Sequence, residues 1–155
     1  MQFSGKEDIE ASIENVFAAV SEFESFERSA IRRGIEVQRV DSSLPVDAGL
    51  AWNTSFNLRG KPRDMLVALV EFTEPSLMRF DSRSKGVNGD CVVELLALSP
   101  RRTRLSVDIK LSANTLAARL FLQSLKLARG NLNKRFKMRL ADMAKEIERR
   151  QSRLT

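Results

Sequence analysis

The chain has 155 residues, 43% of them hydrophobic and 30% charged, with a formal net charge of +6. It contains no histidine and no tyrosine, and Cys91 is its one cysteine. Histidine-based zinc sites, Ser-His-Asp and Cys-His catalysis and any internal disulfide are therefore excluded.

The length suits a single domain over 1–155 that buries roughly two-thirds of its unfolded surface. No metal and no cofactor is expected, and any catalysis falls to Asp, Glu, Lys, Arg or ordered water. The longest apolar run, Met65 to Val70, is six residues, far short of a membrane span. The opening residues are polar and charged, without the apolar centre of a signal peptide. With one unpaired cysteine, this points to a cytoplasmic location. The charge is uneven: from Arg119 to Arg153, eleven Lys or Arg stand against three acids. That local balance of +8 exceeds the +6 of the whole chain, so the basic character belongs to the C-terminal segment.

Taken in order, residues 2 to 11 alternate as a strand with Phe3, Gly5, Glu7 and Ile9 on one side. Ser12 is an N-cap candidate, followed by Ile13, Val16, Phe17 and Val20 at helical spacing. A second short helix carries Phe23, Phe26, Ala30 and Ile31 and stops at Gly34. From there the period is two. Strands are predicted over Ile35 to Val40, Leu50 to Leu58, Arg63 to Phe72, Leu77 to Arg83, Cys91 to Leu98 and Thr103 to Leu111. Turns are expected at Arg59-Gly60-Lys61-Pro62, Glu74-Pro75-Ser76, Gly86-Val87-Asn88-Gly89 and Ser99-Pro100-Arg101-Arg102. The last element is one long helix over about 113–150, with Ser112 or Asn114 as its N-cap. Ala117, Phe121, Leu125, Ala128, Leu132, Phe136, Leu140, Met143 and Ile147 form its apolar stripe. A run of hairpins followed by a long helix is α+β with an antiparallel sheet.

This order resembles the helix-grip fold of the START and Bet v 1-like superfamily, whose bacterial members are often labelled polyketide cyclase/dehydrase or SRPBCC proteins. The local sequences that carry the likeness are Ser12-Ile13-Glu14-Asn15-Val16-Phe17 after the first strand and Trp52 in the strand after the first long loop. Glu71-Phe72-Thr73-Glu74-Pro75 followed by Leu77-Met78-Arg79-Phe80 completes them. The resemblance implies a curved seven-stranded sheet wrapped around the long helix. It also implies a cavity between them for an apolar ligand such as a lipid, sterol or polyketide. No catalytic signature carries over residue by residue.

The alternation yields an inward-facing set, and its expected cavity residues are Glu7, Trp52, Thr54, Phe56, Asp64, Leu66, Phe80, Val93, Leu95, Leu105 and Val107. Leu125 and Gly130 join them from the long helix. Trp52 is the leading wall residue, since its N–H needs a partner even when the ring is buried. Glu7 and Asp64 matter because an inward carboxylate is costly unless paired or hydrated. Each is either a polar anchor or an acid/base group that would handle protons inside the cavity, or a rim group reaching water or pairing with Arg79 or Arg83. Gly130 either leaves room for a ligand or permits a bend or a close strand contact. Cys91 reads as a small apolar residue of the sheet.

Arg129, Lys134, Arg135, Lys137 and Arg139 form a basic face. It is either a solvated helix surface or a contact for an anionic membrane or an acidic protein. The lack of interleaved exposed aromatics tells against nucleic acid. The expected function is binding of a hydrophobic small molecule or lipid. The alternatives are a cyclase/aromatase-like enzyme that works by positioning its substrate and an interaction protein using the basic helix.

Overall fold

The computed structural model describes residues 1–154, and Thr155, the last residue of the expected domain, lies outside them. Strand β1 (Gln2–Ile9) leads into helices α1 (Ile13–Val20) and α2 (Phe23–Arg32). Six strands follow: β2 (Glu36–Arg39), β3 (Ala51–Leu58), β4 (Lys61–Thr73), β5 (Leu77–Ser84), β6 (Val87–Ser99) and β7 (Arg102–Ala113). They form one seven-stranded antiparallel sheet in the order β1-β7-β6-β5-β4-β3-β2. Apart from β1, which closes against β7, every strand pairs with its neighbour in sequence, as short connections dictate. The curved sheet grips a long C-terminal helix, and two short helices follow the first strand, as anticipated.

Local chemistry sets the joints. The Ser12 side chain accepts from the Asn15 N–H at 3.2 Å and caps α1, whose Val16, Phe17 and Val20 are buried. Two hairpins turn through paired left-handed residues, Arg59-Gly60 (φ 54° and 74°) and Lys85-Gly86 (φ 41° and 83°). Positive φ at both central positions matches the twist of the flanking strands. The second turn therefore lies at Lys85-Gly86, and Val87, Asn88 and Gly89, expected within it, open β6 instead.

The C-terminal stretch departs from the expected single helix. It is two helices, α3 (Leu116–Lys126) and α4 (Arg129–Leu154). Strand β7 continues to Ala113, so Ser112 is in the sheet, and Thr115 is the N-cap, its hydroxyl accepting from Ala118 N–H at 3.1 Å. The chain breaks at Leu127 and Ala128, where Ala128 N–H donates to the Leu125 carbonyl at 3.0 Å. The halves answer to different surfaces. Helix α3 buries Ala118 and Leu122 beside β7, whereas α4 runs along β1 and buries Leu140, Ala144 and Ile147. One straight rod cannot satisfy both. Helix α4 comes close to β1 at Gly5, where a Cβ would stand 2.7 Å from Leu140 Cδ2 and 3.3 Å from Phe136 Cε1.

Strand β4 also differs from simple alternation. Trp52 pairs with Val67 and Thr54 with Met65, so Met65, Val67 and Leu69 share the inner face. The register shifts between Leu69 and Glu71, after which Phe72 pairs with Met78. An extra residue in a strand reverses its parity. Counting in twos through Val70 therefore turns the first half of β4 inside out. Leu66 is 43% exposed, and Asp64 lies on the outer face, accepting from the Ser55 hydroxyl at 2.7 Å.

Candidate functional site

Helix α2 presents Phe23, Glu27 and Ala30 along one side, as residues three and four apart do. It lays that side over β2, β3 and β5. The Phe23 ring meets Trp52 edge-on at 5.3 Å and Phe80 edge-on at 6.0 Å. Beside this cluster is a cavity of about 350 Å³ between α2, the sheet and Met143 of α4.

Its lining is apolar but for two groups. The Thr54 hydroxyl donates to the Met65 carbonyl at 2.8 Å and is thereby occupied. Glu27 is the other. Its Oε2 accepts from Trp52 Nε1 at 2.7 Å and from Arg39 Nε at 2.7 Å. A half-buried carboxylate held by an indole N–H and a guanidinium has most of its desolvation offset. This answers what Trp52 does with its N–H. Among the described residues, Glu27 is also the one ionisable side chain on the cavity wall.

Of the expected lining residues, Trp52, Thr54, Phe80, Val93, Leu105 and Val107 border this cavity. The others stand elsewhere. Leu95 is packed in the core. Phe56 lies further along β3, opposite Arg63, whose guanidinium stacks 4.4 Å from the Phe121 ring centroid. Asp64 and Leu66 face outward because of the bulge. Glu7 is on the inner face of β1, opposite Leu105. Because α4 covers this edge strand, Glu7 borders a separate surface groove with Lys137 and Leu140. The break re-aims α3, so Leu125 is half-buried away from the cavity. Gly130 is in the first turn of α4, exposed, with open space around its Cβ direction. It neither widens the cavity nor touches a strand.

Arg129, Lys134, Arg135, Lys137 and Arg139 are all exposed on α4. Cys91 faces its β5 partner Phe80. Burial pushes its thiol up to about 11, and the Asp90 and Asp108 charges add to the rise. At neutral pH it is a protonated, unreactive packing group. Among the described residues, no His, Cys, Asp or Glu cluster is arranged to hold a metal ion, and no helix is long and apolar enough to cross a membrane.

Glu27 was not among the expected site residues, and neither were Phe23, Val67 and Met143. Trp52 supplied a signal for Glu27, since a buried indole N–H demands an acceptor. Nothing in the spacing said that α2 would provide it.

No family model matches the chain, and no curated protein matches it in sequence. Solved structures do match in shape. Norcoclaurine synthase of Thalictrum flavum, a point mutant in complex with a transition-state analogue, superposes with a TM-score of 0.69 at 10% identity. That match covers 97% of this chain and 96% of the other. The Zhui aromatase/cyclase of Streptomyces sp. R1128 gives 0.67 at 12% identity, covering 97% and 94%. A START superfamily protein of Mycobacterium smegmatis gives 0.52 at 16% identity, covering 86% and 95%. Likeness at such identities is likeness of backbone, and with the strand order and the gripped helix it identifies the architecture: the chain has the START/Bet v 1-like helix-grip fold.

Proposed function

We propose that the protein binds one compact apolar small molecule in the cavity between α2, the sheet and α4. The observation that carries this reading is the cavity itself, about 350 Å³ with a wall apolar except at Glu27 and Thr54. That volume is at the small end for ligand sites, and it favours a fused-ring compound or a single acyl chain over a two-tailed lipid. Glu27 offers a carboxylate edge to a hydroxyl or amine on an otherwise apolar ligand. Two of the similar structures are named for chemistry on small organic molecules, which supports a small-molecule occupant. Binding is favoured over cyclisation because the wall carries one ionisable group, already engaged by Trp52 and Arg39.

Titration with the fluorophore N-phenylnaphthylamine tests the reading. Wild type takes up the probe, with energy transfer from Trp52. Val93→Phe, which fills the cavity with an apolar ring, lowers affinity about tenfold or more while the melting temperature holds. Absence of uptake by wild type, or equal uptake by a folded Val93→Phe protein, contradicts it.

A further inference from the structure

We propose that the outer face of α3, with the elbow into α4, docks on an anionic lipid bilayer. The inner side of α3 is already committed. Ala118 and Leu122 are buried, and Phe121 lies under the Arg63 guanidinium at 4.4 Å. On the opposite side stand Leu116, Leu120 and Leu127, 73%, 58% and 91% exposed.

Spacings of four and seven residues put these three in one line at 3.6 residues per turn. A single exposed leucine requires no explanation. Three in line, on a helix whose other face is already packed, are a second apolar stripe that the fold does not use. Exposed Arg119 and Lys126 stand along one side of it, and Arg129 follows directly after the break. No Asp or Glu occurs between Asp108 and Asp142, so nothing within this stretch offsets the positive charge. Leucines to enter the acyl boundary, with Lys and Arg beside them to meet lipid phosphates, are the makings of a helix that lies in a membrane interface. A second copy fits poorly, because self-docking through this face brings Arg119, Lys126 and Arg129 against their own counterparts.

Co-sedimentation of the full chain tests this, using vesicles of phosphatidylcholine and phosphatidylserine in equal parts against phosphatidylcholine alone. Wild type is retained only by the anionic vesicles, less so as salt rises. Leu120→Gln and Leu127→Gln each weaken retention about tenfold, and Arg119→Glu with Lys126→Glu abolishes it. All are exposed positions, so melting temperatures stay at the wild-type value. Failure of wild type to sediment overturns the proposal. So does retention indifferent to the leucine changes, since that is adsorption by charge alone. A wild-type dimer by light scattering that Leu127→Gln dissociates makes the stripe a contact between copies and also overturns it. Binding to soluble polyglutamate as tight as to vesicles, whichever residue stands at position 127, assigns the face to an acidic protein instead.

Discussion

Thr103 is the one fully buried polar side chain among the described residues, and its hydroxyl donates to the Ala11 carbonyl at 2.8 Å. That bond fastens the start of β7 to the turn between β1 and α1. Thr103→Val keeps the shape but leaves the carbonyl without a donor in a dry place. The expected cost is about 1–3 kcal/mol, read from urea denaturation, with Thr103→Ser recovering much of it. Glu27 makes the complementary point about legibility. Trp52 announced a need for an acceptor, and alternation put it on the correct face. Its acceptor is 25 positions earlier on a helix whose approach depends on how α2 crosses the sheet. Arg39, the other donor to Glu27, belongs to a four-residue edge strand. A contact that three separate elements must build together leaves no local pattern in the chain.

At the scale of elements, strand and helix identities were legible because period two and period 3.6 are properties of neighbouring residues. What escaped was any change of phase. The bulge at Val70 carries no glycine or proline to mark it, yet it decides whether Asp64 and Leu66 or Met65 and Val67 face inward. The break at Leu127 was equally silent, since the apolar stripe continues across it in sequence while the two helices follow different surfaces. The approach of α4 to β1 is a packing decision made by one absent side chain. Gly5→Val forces its branched side chain into Leu140 and Phe136, and overpacking of this kind costs about 1–3 kcal/mol. Thermal melting measures it, and a variant as stable as wild type would show that α4 yields freely.

Across the whole molecule, two outer-face clusters tie β1 to β7 electrostatically. Arg104 grips Asp8 with both arms, Nε to Oδ1 at 2.9 Å and Nη2 to Oδ2 at 3.2 Å. This hydrogen bonding, aided by the charges of Arg104 and Arg102, lowers the Asp8 carboxyl below its ordinary value of 3.8. Asp108 is likewise lowered, first by the Ser4 hydroxyl and then by the Gln2 amide. Carboxyls more acidic in the folded state contribute stability above their unfolded value, and that contribution is lost as pH falls through the folded one. Urea midpoints should therefore drop below about pH 4, and the drop should be shallower in Asp8→Asn with Asp108→Asn. An unchanged slope in that double variant would move the acid sensitivity elsewhere. Salt should weaken both clusters, because they are open to solvent.

The strand order has one more consequence, for how the protein behaves at high concentration. An open sheet has two free edges, and a long flat apolar edge invites pairing with another chain. Here one edge is β2, four residues long and bounded by Glu36 and Arg39. The other is β1, which carries Lys6 and Asp8 and has α4 lying along it. Neither offers a stretch on which a second sheet is readily templated.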